Sequence, residues 1–207
     1  MKHTRLVRFT FFLVIFGVVQ FFLLTSFAAF FYPGGYDYFG YYFSDLGALV
    51  AKNGEPNTIS SMLFSLALVI IALSLIPFWL KLRSIFTESR IEKLLSTLGS
   101  IFGLSSSPFI IGVALFPIDT QLDIHFIVTM IFFSLFVAST LLYSIVIFLN
   151  KNCSNYFGLF GIILFIISLI IFIDPLAQYV ALLQTIVTYG YFIWVLLHSI
   201  LIWNWKE

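Results

Sequence analysis

The sequence predicts an all-α membrane protein, a bundle of six transmembrane helices that forms a single domain over residues 1–207. Three observations predict this fold class. The chain is 61% hydrophobic and 9% charged, whereas a soluble domain carries about 25% charged residues. It contains six successive apolar runs of about 20 residues, the length that crosses a bilayer. Its Lys and Arg residues concentrate in alternate connections between these runs, as membrane topology requires.

Short polar segments separate the six predicted helices. Residues 32–58 are rich in Gly, Pro and Asn, and residues 81–93 contain four cations. Residues 150–155 are polar, and Asp174 with Pro175 ends the fifth run. We therefore expect helices over about 9–31, 59–80, 94–116, 124–149, 156–173 and 180–203.

The first apolar run has two interpretations. Ser26, Phe27 and Ala28 resemble the small-residue site at which a signal peptide is cleaved. The run is much longer than the roughly 7–15 apolar residues of such a signal. We therefore expect the first helix to be retained as a transmembrane span.

The distribution of cations predicts the orientation in the membrane. Lys52 is the one cation that falls on the outer side of the predicted topology. The other nine fall on the opposite side: Lys2, Arg5, Arg8, Lys81, Arg83, Arg90, Lys93, Lys151 and Lys206. Because positive loops stay in the cytoplasm, we expect a multi-pass protein of the cell membrane with Met1 and Glu207 inside.

Two carboxylates lie in the short outer turn between helices 3 and 4. One interpretation is capping, because Asp119 follows Pro117 and an acid suits the positive end of the helix dipole. Capping accounts for one carboxylate. Asp123 lies four residues further on, where two like charges on a helix repel each other. The other interpretation is a functional polar site that contains both.

His125 enters the membrane two residues later. Its imidazole has two open interpretations, a hydrogen bond to a carbonyl or hydroxyl at the interface and a place in a functional site. The second follows from the cost of ionisable groups at membrane depth. Its helical neighbours include Gln121 and Thr129, so its face of helix 4 is partly polar.

The first outer loop, FFYPGGYDYFGYYFSDLGALVAKNGEPN over residues 30–57, contains five tyrosines suited to the water–lipid boundary. The stretch from Ser44 through Asp45 to Gly47 is compatible with a short interfacial helix, in which Gly47 allows close packing. Asn57 or Thr58 is expected to cap helix 2. We predict that Asp45 joins Asp119, Asp123 and His125 in one outer polar site.

Helix 3 contains three serines, Ser105, Ser106 and Ser107, followed by Pro108. Proline frees the carbonyl of Leu104, four residues back, and lipid cannot satisfy it. We therefore predict that helix 3 bends or unwinds locally there and lines the bundle interior, with the serines below the outer site.

Three further features concern helix packing. Gly99 and Gly103 form a G-x-x-x-G pattern, which favours close helix contact. Gln20 and Gln184 lie deep in helices 1 and 6, so we expect both amides to face the interior. His198 lies near the inner end of helix 6 and is interpreted as an interface histidine.

The order of short motifs resembles a known family. SDLG at Ser44–Gly47 precedes an Asn and a helix start at Asn57–Ser65, then G-x-x-x-F-P at Gly112–Pro117 and a spaced histidine at His125–Phe133. The chain resembles the uncharacterised prokaryotic six-helix membrane family related to the damage-regulated autophagy modulator and Sfk superfamily. That superfamily includes proteins linked to glycolipid remodelling and phospholipid asymmetry. The resemblance implies a lipid-related role, and it draws attention to Asp45, Gly47 and His125.

Three functions remain open. The first is a lipid-handling protein, which binds a headgroup between the outer loops and an acyl chain between helices. The second is a non-catalytic accessory subunit of a larger membrane complex, since the loops are short. The third, a metal-dependent membrane hydrolase, is disfavoured because zinc hydrolases use three protein ligands rich in histidine. Only His3, His125 and His198 exist, and two of them lie on the wrong side.

Other classes find little support in the sequence. The P-loop, the dinucleotide fingerprint, the haem-attachment motif and the nucleophile elbow do not occur, so we expect no cofactor and do not favour an enzyme. A net charge of +1 gives no reason to expect a nucleic-acid partner. The expected partners are membrane lipids and, for the second function, other membrane subunits.

Overall fold

The computed structural model describes residues 5–174 and 179–204. These residues form six α-helices and one short 3-10 helix, η1, and contain no β-strand. The bounds in chain order are α1 Arg5–Phe30, η1 Phe43–Gly47, α2 Thr58–Arg83, α3 Arg90–Leu115, α4 Leu122–Leu149, α5 Asn155–Ile173 and α6 Val180–Asn204. All six helices are long and apolar enough to cross a membrane. The predicted all-α, multi-pass fold class is confirmed, whereas Met1 and Glu207 lie outside the described residues.

Consecutive helices pack side by side, and α6 returns to pack against α1 as well as α5. This arrangement closes the bundle, and α2 also contacts α6 across its interior. We call the end that contains residues 31–57 and 116–121 the acidic end. The opposite end, which contains residues 84–89 and 150–154, is called the basic end.

Local sequence explains where the third helix begins and ends. The Ser89 hydroxyl accepts a hydrogen bond from the Glu92 amide at 3.1 Å and caps α3 at the basic end. This cap starts the helix at Arg90, before the apolar run, because polar residues can complete its first turn in water. At the acidic end Pro117 follows the last turn, where its ring disfavours a helical conformation of Phe116.

The centre of the bundle is built from large aromatic side chains. Trp79, Trp194, Phe136 and Tyr143 are completely buried. The rings of Trp79 and Tyr143 stack with centroids 6.0 Å apart, and those of Trp79 and Trp194 are 6.2 Å apart. The Tyr143 hydroxyl lies 2.6 Å from the Ser100 hydroxyl. A polar group at this depth needs such a partner, because lipid offers none.

Two glycines of α3 make room for these rings. A Cβ atom added to Gly103 would lie 2.4 Å from the indole of Trp79, and one added to Gly99 would lie 2.9 Å from the ring of Tyr143. The close packing predicted from the G-x-x-x-G pattern is present. The glycines, however, accommodate aromatic side chains of α2 and α4.

The serine and proline residues of α3 do not interrupt the helix. Pro108 lies inside an uninterrupted α-helix, so the predicted local unwinding is wrong. Ser106 is buried and donates to the carbonyl oxygen of Gly103 at 2.7 Å. Ser107 is also buried, whereas Ser105 is exposed on the outer surface of the bundle. Only two of the three predicted serines therefore face the interior.

The interior amide predicted in helix 1 is confirmed. Gln20 is 8% exposed, and its Nε2 donates to the carbonyl oxygens of Gly17 at 2.8 Å and Ala67 at 3.2 Å. The second bond crosses from α1 to α2. A glutamine in the membrane therefore ties two helices together.

We predict that Gly103→Ala destabilises the bundle by about 1–3 kcal/mol, the usual cost of an overpacked core. The new methyl group would overlap the indole of Trp79, which is enclosed on all sides. Thermal unfolding of the purified chain in mild detergent measures the loss. Ser105→Ala, an exposed position of the same helix, is the control and should leave the unfolding temperature unchanged. Equal unfolding temperatures for the two variants would contradict the tight packing at Gly103.

Candidate functional site

The loop between α1 and α2 folds over the acidic end of the bundle, and η1 lies at its centre. All five residues of η1 are buried, which confirms the predicted short helix in this segment. Gly47 packs closely on α2, because an added Cβ would lie 2.6 Å from the Phe64 ring. Asn57 and Ser60 of the α2 start donate to the carbonyl oxygen of Leu46, at 3.2 Å and 2.9 Å. These bonds hold η1 against the bundle.

Asn57 is predicted to cap helix 2, and its side chain has a different role in the structure. It occupies the N-cap position of α2, but its side chain forms no capping hydrogen bond. Its Nδ2 donates to the carbonyl oxygens of Leu46 and Ala48. The Leu46 carbonyl also accepts from the Ser60 hydroxyl, so the Asn57 amide adds to the bonds at the end of η1 and does not cap the start of α2.

Asp45 is the most deeply buried carboxylate of this loop, at 1% exposure. Its Oδ2 accepts a hydrogen bond from the Tyr42 amide at 2.9 Å, which closes the first turn of η1. Its Oδ1 lies 3.0 Å from Nζ of Lys52, whose side chain is half exposed. Over residues 5–174 and 179–204 this is the only ion pair. The one cation predicted on the outer side thus compensates the buried acid.

Two tyrosine hydroxyls form hydrogen bonds with the backbone of this loop. The Tyr36 hydroxyl donates to the carbonyl oxygens of Tyr41 at 3.2 Å and Tyr42 at 2.9 Å. Burial raises the pKa of the Tyr36 phenol well above its usual value, so it remains a protonated donor. The Lys52 amide donates to the hydroxyl of Tyr32 at 3.1 Å. The predicted boundary tyrosines include two that hold the backbone of this loop.

Asp119 binds the same loop from the turn between α3 and α4. Its carboxylate accepts hydrogen bonds from the amides of Leu49, at 3.0 Å and 3.1 Å, and Val50, at 2.9 Å. The cap position of α4 is Gln121, whose side chain forms no capping bond. The capping interpretation of Asp119 is therefore wrong. The carboxylate clamps two distant segments of the acidic end.

Asp123 stands apart from the other acids. It is exposed in the first turn of α4, a position that suits the helix dipole. Its carboxylate forms no ion pair within the described part of the chain. The structure thus connects Asp45 and Asp119 to one loop and leaves Asp123 on the surface.

His125 is buried, at 4% exposure, one turn into α4. Its Nδ1 lies 2.6 Å from the carbonyl oxygen of Phe116, the residue that ends α3. A carbonyl only accepts, so Nδ1 carries the proton and Nε2 of the neutral ring is an acceptor. The imidazole therefore fixes the turn between α3 and α4 and presents a free lone pair on its other side. Among the described residues, Nε2 is buried without a hydrogen-bond partner.

A cavity of about 450 Å³ lies beside His125, between α4, α5, α6 and η1. Apolar side chains form most of its wall, including Met130 and Phe133 of α4 and Ile171 of α5. Five polar residues join His125 in the wall: Tyr42, Ser44, Thr129, Ser168 and Gln184. Most of the cavity wall is therefore hydrocarbon, and polar groups lie in the part of the wall near the acidic end.

Two unpartnered polar atoms belong to residues of the cavity wall. Nine buried side-chain nitrogen or oxygen atoms have no hydrogen-bond partner within the described residues, and these include Nε2 of His125 and Oγ1 of Thr129. The two residues are one helical turn apart on α4, so their side chains share a face. Oε1 of Gln184, by contrast, accepts from the Phe43 amide at 2.9 Å. A ligand with a donor and an acceptor could satisfy both free groups.

The structure brings together only part of the predicted site. Ser44, next to Asp45, lines the same cavity as His125. Ser105, Ser106 and Ser107 lie on α3, which contributes no residue to the cavity wall. The sequence makes Thr129 a helical neighbour of His125, but it does not place the Thr129 hydroxyl in the predicted site. Its spacing of four residues was the available signal.

Within the part of the chain that the structure describes, the acids and histidines do not gather in a metal-binding cluster. Over residues 5–174 and 179–204, no three His, Cys, Asp or Glu side chains come together in a group that could hold a metal ion. His198 is completely buried, with Nδ1 2.7 Å from the carbonyl oxygen of Trp194 and its ring stacked on that indole. It lies in the bundle interior and is not the predicted interface histidine.

Comparison with known proteins identifies a family whose model matches most of the chain. A family model described as "Protein of unknown function (DUF998)" matches residues 15–201, nearly the whole chain. No curated protein and no solved structure matches the chain.

We predict that Lys52→Met loosens the acidic end by about 1–2 kcal/mol, because it leaves the buried Asp45 carboxylate without a counter-ion. The loss is smaller than for a fully buried pair, since water reaches half of the lysine. Limited proteolysis of residues 31–57 in detergent measures the opening. Glu55→Gln, an exposed charge change in the same loop, is the control.

The double variant Asp45→Asn, Lys52→Met separates the ion pair from other effects. The neutral amide still accepts from the Tyr42 amide and needs no cation, so we expect the double variant to resist proteolysis better than Lys52→Met alone. Equal cleavage of the two variants would show that Lys52 acts by packing rather than by charge.

Proposed function

Because the chain belongs to DUF998, a family described as having unknown function, we propose a function from its site: the protein binds a membrane lipid in the cavity beside His125. An acyl chain occupies the hydrocarbon part of the cavity, and the polar part of the lipid faces the acidic end. The single observation that supports this is a cavity of about 450 Å³ with a mostly apolar wall and free polar atoms at His125 and Thr129.

The polar groups limit the chemistry of the lipid. The Nε2 atom of His125 accepts a hydrogen bond, so the ligand supplies a hydroxyl or amide donor at that point. The Thr129 hydroxyl both donates and accepts. No cation is among the side chains of the cavity wall, so a neutral polar group fits better than a bare phosphate. Glycerol or amide linkages of lipids have this combination of donor and acceptor.

The relationship to the damage-regulated autophagy modulator and Sfk superfamily is part of this proposal. The motifs that carry the resemblance lie in contact: Asn57 binds the end of η1, and His125 binds the carbonyl of Phe116. Ser44 and His125 line the same cavity. Motifs far apart in the chain therefore surround one space, which supports a common lipid-related role.

We propose that the protein lies in the cell membrane with its basic end in the cytoplasm. Arg83, Arg90, Lys93 and Lys151 lie at or near this end, whereas Lys52 is at the other. Short cationic loops remain cytoplasmic during insertion. The lipid cavity then opens in the outer half of the membrane.

This orientation predicts the labelling of introduced cysteines. In intact protoplasts a membrane-impermeant maleimide should label Glu55→Cys and spare Arg90→Cys, and permeabilisation should expose both. The single native thiol gives little background, because Cys153 is buried and burial raises its pKa to about 11. Labelling of Arg90→Cys before permeabilisation would reverse the topology.

Filling the cavity tests the lipid site. We predict that Ile171→Trp, which places an indole in the cavity, reduces the lipid that copurifies with the chain in mild detergent. Ile170→Trp is the matched control, since the same residue type one position earlier is 39% exposed on the outside of α5. Mass spectrometry of extracted lipids measures the amount per chain. We expect a strong loss for Ile171→Trp and wild-type amounts for Ile170→Trp.

A milder variant tests the polar contact. Thr129→Val keeps the shape and removes the hydroxyl, so lipid retention should fall by about twofold to tenfold, the effect of one hydrogen bond. Unchanged retention in both Ile171→Trp and Thr129→Val would overturn the lipid site. A stoichiometric protein partner with no bound lipid would instead indicate the accessory-subunit role.

A further inference from the structure

A second pocket, of about 430 Å³, lies at the basic end between the end of α2 and the start of α3. Its wall contains Arg83, the last residue of α2, and Lys93, in the first turns of α3. Both side chains are exposed. Ser84, Thr87, Ser96 and Thr97 also line the pocket. The hydroxyls of Ser84, Ser96 and Thr97 donate to backbone carbonyl oxygens of Lys81 and Lys93.

The positive charge of this pocket is not compensated by the neighbouring acids. Neither Arg83 nor Lys93 forms an ion pair within the described residues. Glu88 accepts a hydrogen bond from the Asn152 side chain, and neither Glu88 nor Glu92 lines the pocket. Both acids instead hold the connection between α4 and α5. The pocket therefore presents two cations to an incoming anion.

The contacts of the Glu92 carboxylate show that this acid holds the α4–α5 connection and does not compensate the pocket cations. It is 3% exposed and accepts from the Glu88 amide at 3.2 Å and from Nδ2 of Asn150 at 3.3 Å. A buried carboxylate engaged in two bonds is not positioned to neutralise an exposed cation on the outer surface.

The pocket lies where the helices leave the membrane. Leu80, one turn before Arg83, is 57% exposed and lines the pocket, and Leu94, next to Lys93, is 59% exposed. Phe86 forms a buried part of the wall. Apolar surface thus continues from the lipid-facing side of α2 directly into a cationic pocket. This combination suits a molecule that has both a hydrocarbon chain and an anionic group.

We propose that this pocket binds the phosphate of an anionic phospholipid in the leaflet at the basic end. Arg83 and Lys93 contact the phosphate oxygens, and the hydroxyl groups stand beside them. The acyl chains lie along Leu80 and Leu94. Basic pockets between transmembrane helices bind lipid headgroups in this way. The site is separate from the cavity beside His125, so it does not depend on the function proposed above.

The test uses the full chain purified in mild detergent. Native mass spectrometry follows binding of phosphatidylglycerol and of phosphatidylcholine with identical acyl chains. Arg83→Gln with Lys93→Gln should weaken phosphatidylglycerol binding by about tenfold to thirtyfold, because each cation near an anionic surface contributes a factor of about five. Arg90→Gln with Lys151→Gln removes the same charge from the same end and should have little effect.

Two further variants guard against misfolding. Arg83→Lys with Lys93→Arg keeps both charges and should keep phosphatidylglycerol binding. Lys93→Gln alone changes one exposed residue and should weaken binding by about fivefold. Ile171→Trp should leave this binding unchanged, which distinguishes this site from the other cavity.

Several results would overturn the proposal. An equal loss in the Arg90→Gln, Lys151→Gln control would mean diffuse attraction by the whole basic end. Equal binding of phosphatidylcholine would show that charge plays no part. Inorganic phosphate that displaces phosphatidylglycerol at low millimolar concentration would identify a site for a free anion rather than for a lipid.

Discussion

The buried carboxylate of Asp45 is the interaction on which the acidic end depends. Its two oxygens have different partners. Oδ2 accepts a hydrogen bond from the Tyr42 amide and closes the turn of η1, and Oδ1 forms an ion pair with Lys52. A charge at 1% exposure beside a membrane requires both. The position of η1 in turn places Ser44 in the cavity wall and the Leu46 carbonyl in reach of α2. One ion pair thus holds a loop that forms part of the cavity wall.

Several buried hydroxyl groups of the bundle find their hydrogen-bond partner on their own helix, and Thr129 is an exception. Hydroxyls such as those of Thr140 and Ser168 donate to the carbonyl four residues back on their own helix, Phe136 and Leu164. A helix can always provide this partner, so such residues cost little inside a membrane. The hydroxyl of Thr129 lacks this bond, and Thr129 is one of the residues that line the cavity. Free polar atoms beside an apolar cavity are therefore a stronger sign of a ligand than buried hydroxyls in general.

The sequence predicts the helices well because bilayer thickness fixes their length and lipid fixes their composition. It predicts the polar contacts less well. Asp119 precedes α4 closely enough to suggest a cap, yet its partners, the amides of Leu49 and Val50, lie about seventy residues earlier. The serines near Pro108 suggest a bend or local unwinding of α3, but the α-helix continues without interruption from Arg90 to Leu115. Local rules identify candidate groups, whereas the partner depends on which loops fold over the same end.

The charge asymmetry on which the proposed orientation rests also distinguishes the two proposed lipid sites. At the acidic end the one cation, Lys52, is engaged with Asp45, so the cavity beside His125 offers neutral hydrogen-bonding groups. At the basic end Glu88 and Glu92 hold the α4–α5 connection, which leaves Arg83 and Lys93 facing the membrane boundary. Anionic lipids attract such cations in the cytoplasmic leaflet. The cavity beside His125 is therefore lined by neutral polar groups, whereas the pocket at the basic end contains two cations without a described counter-ion.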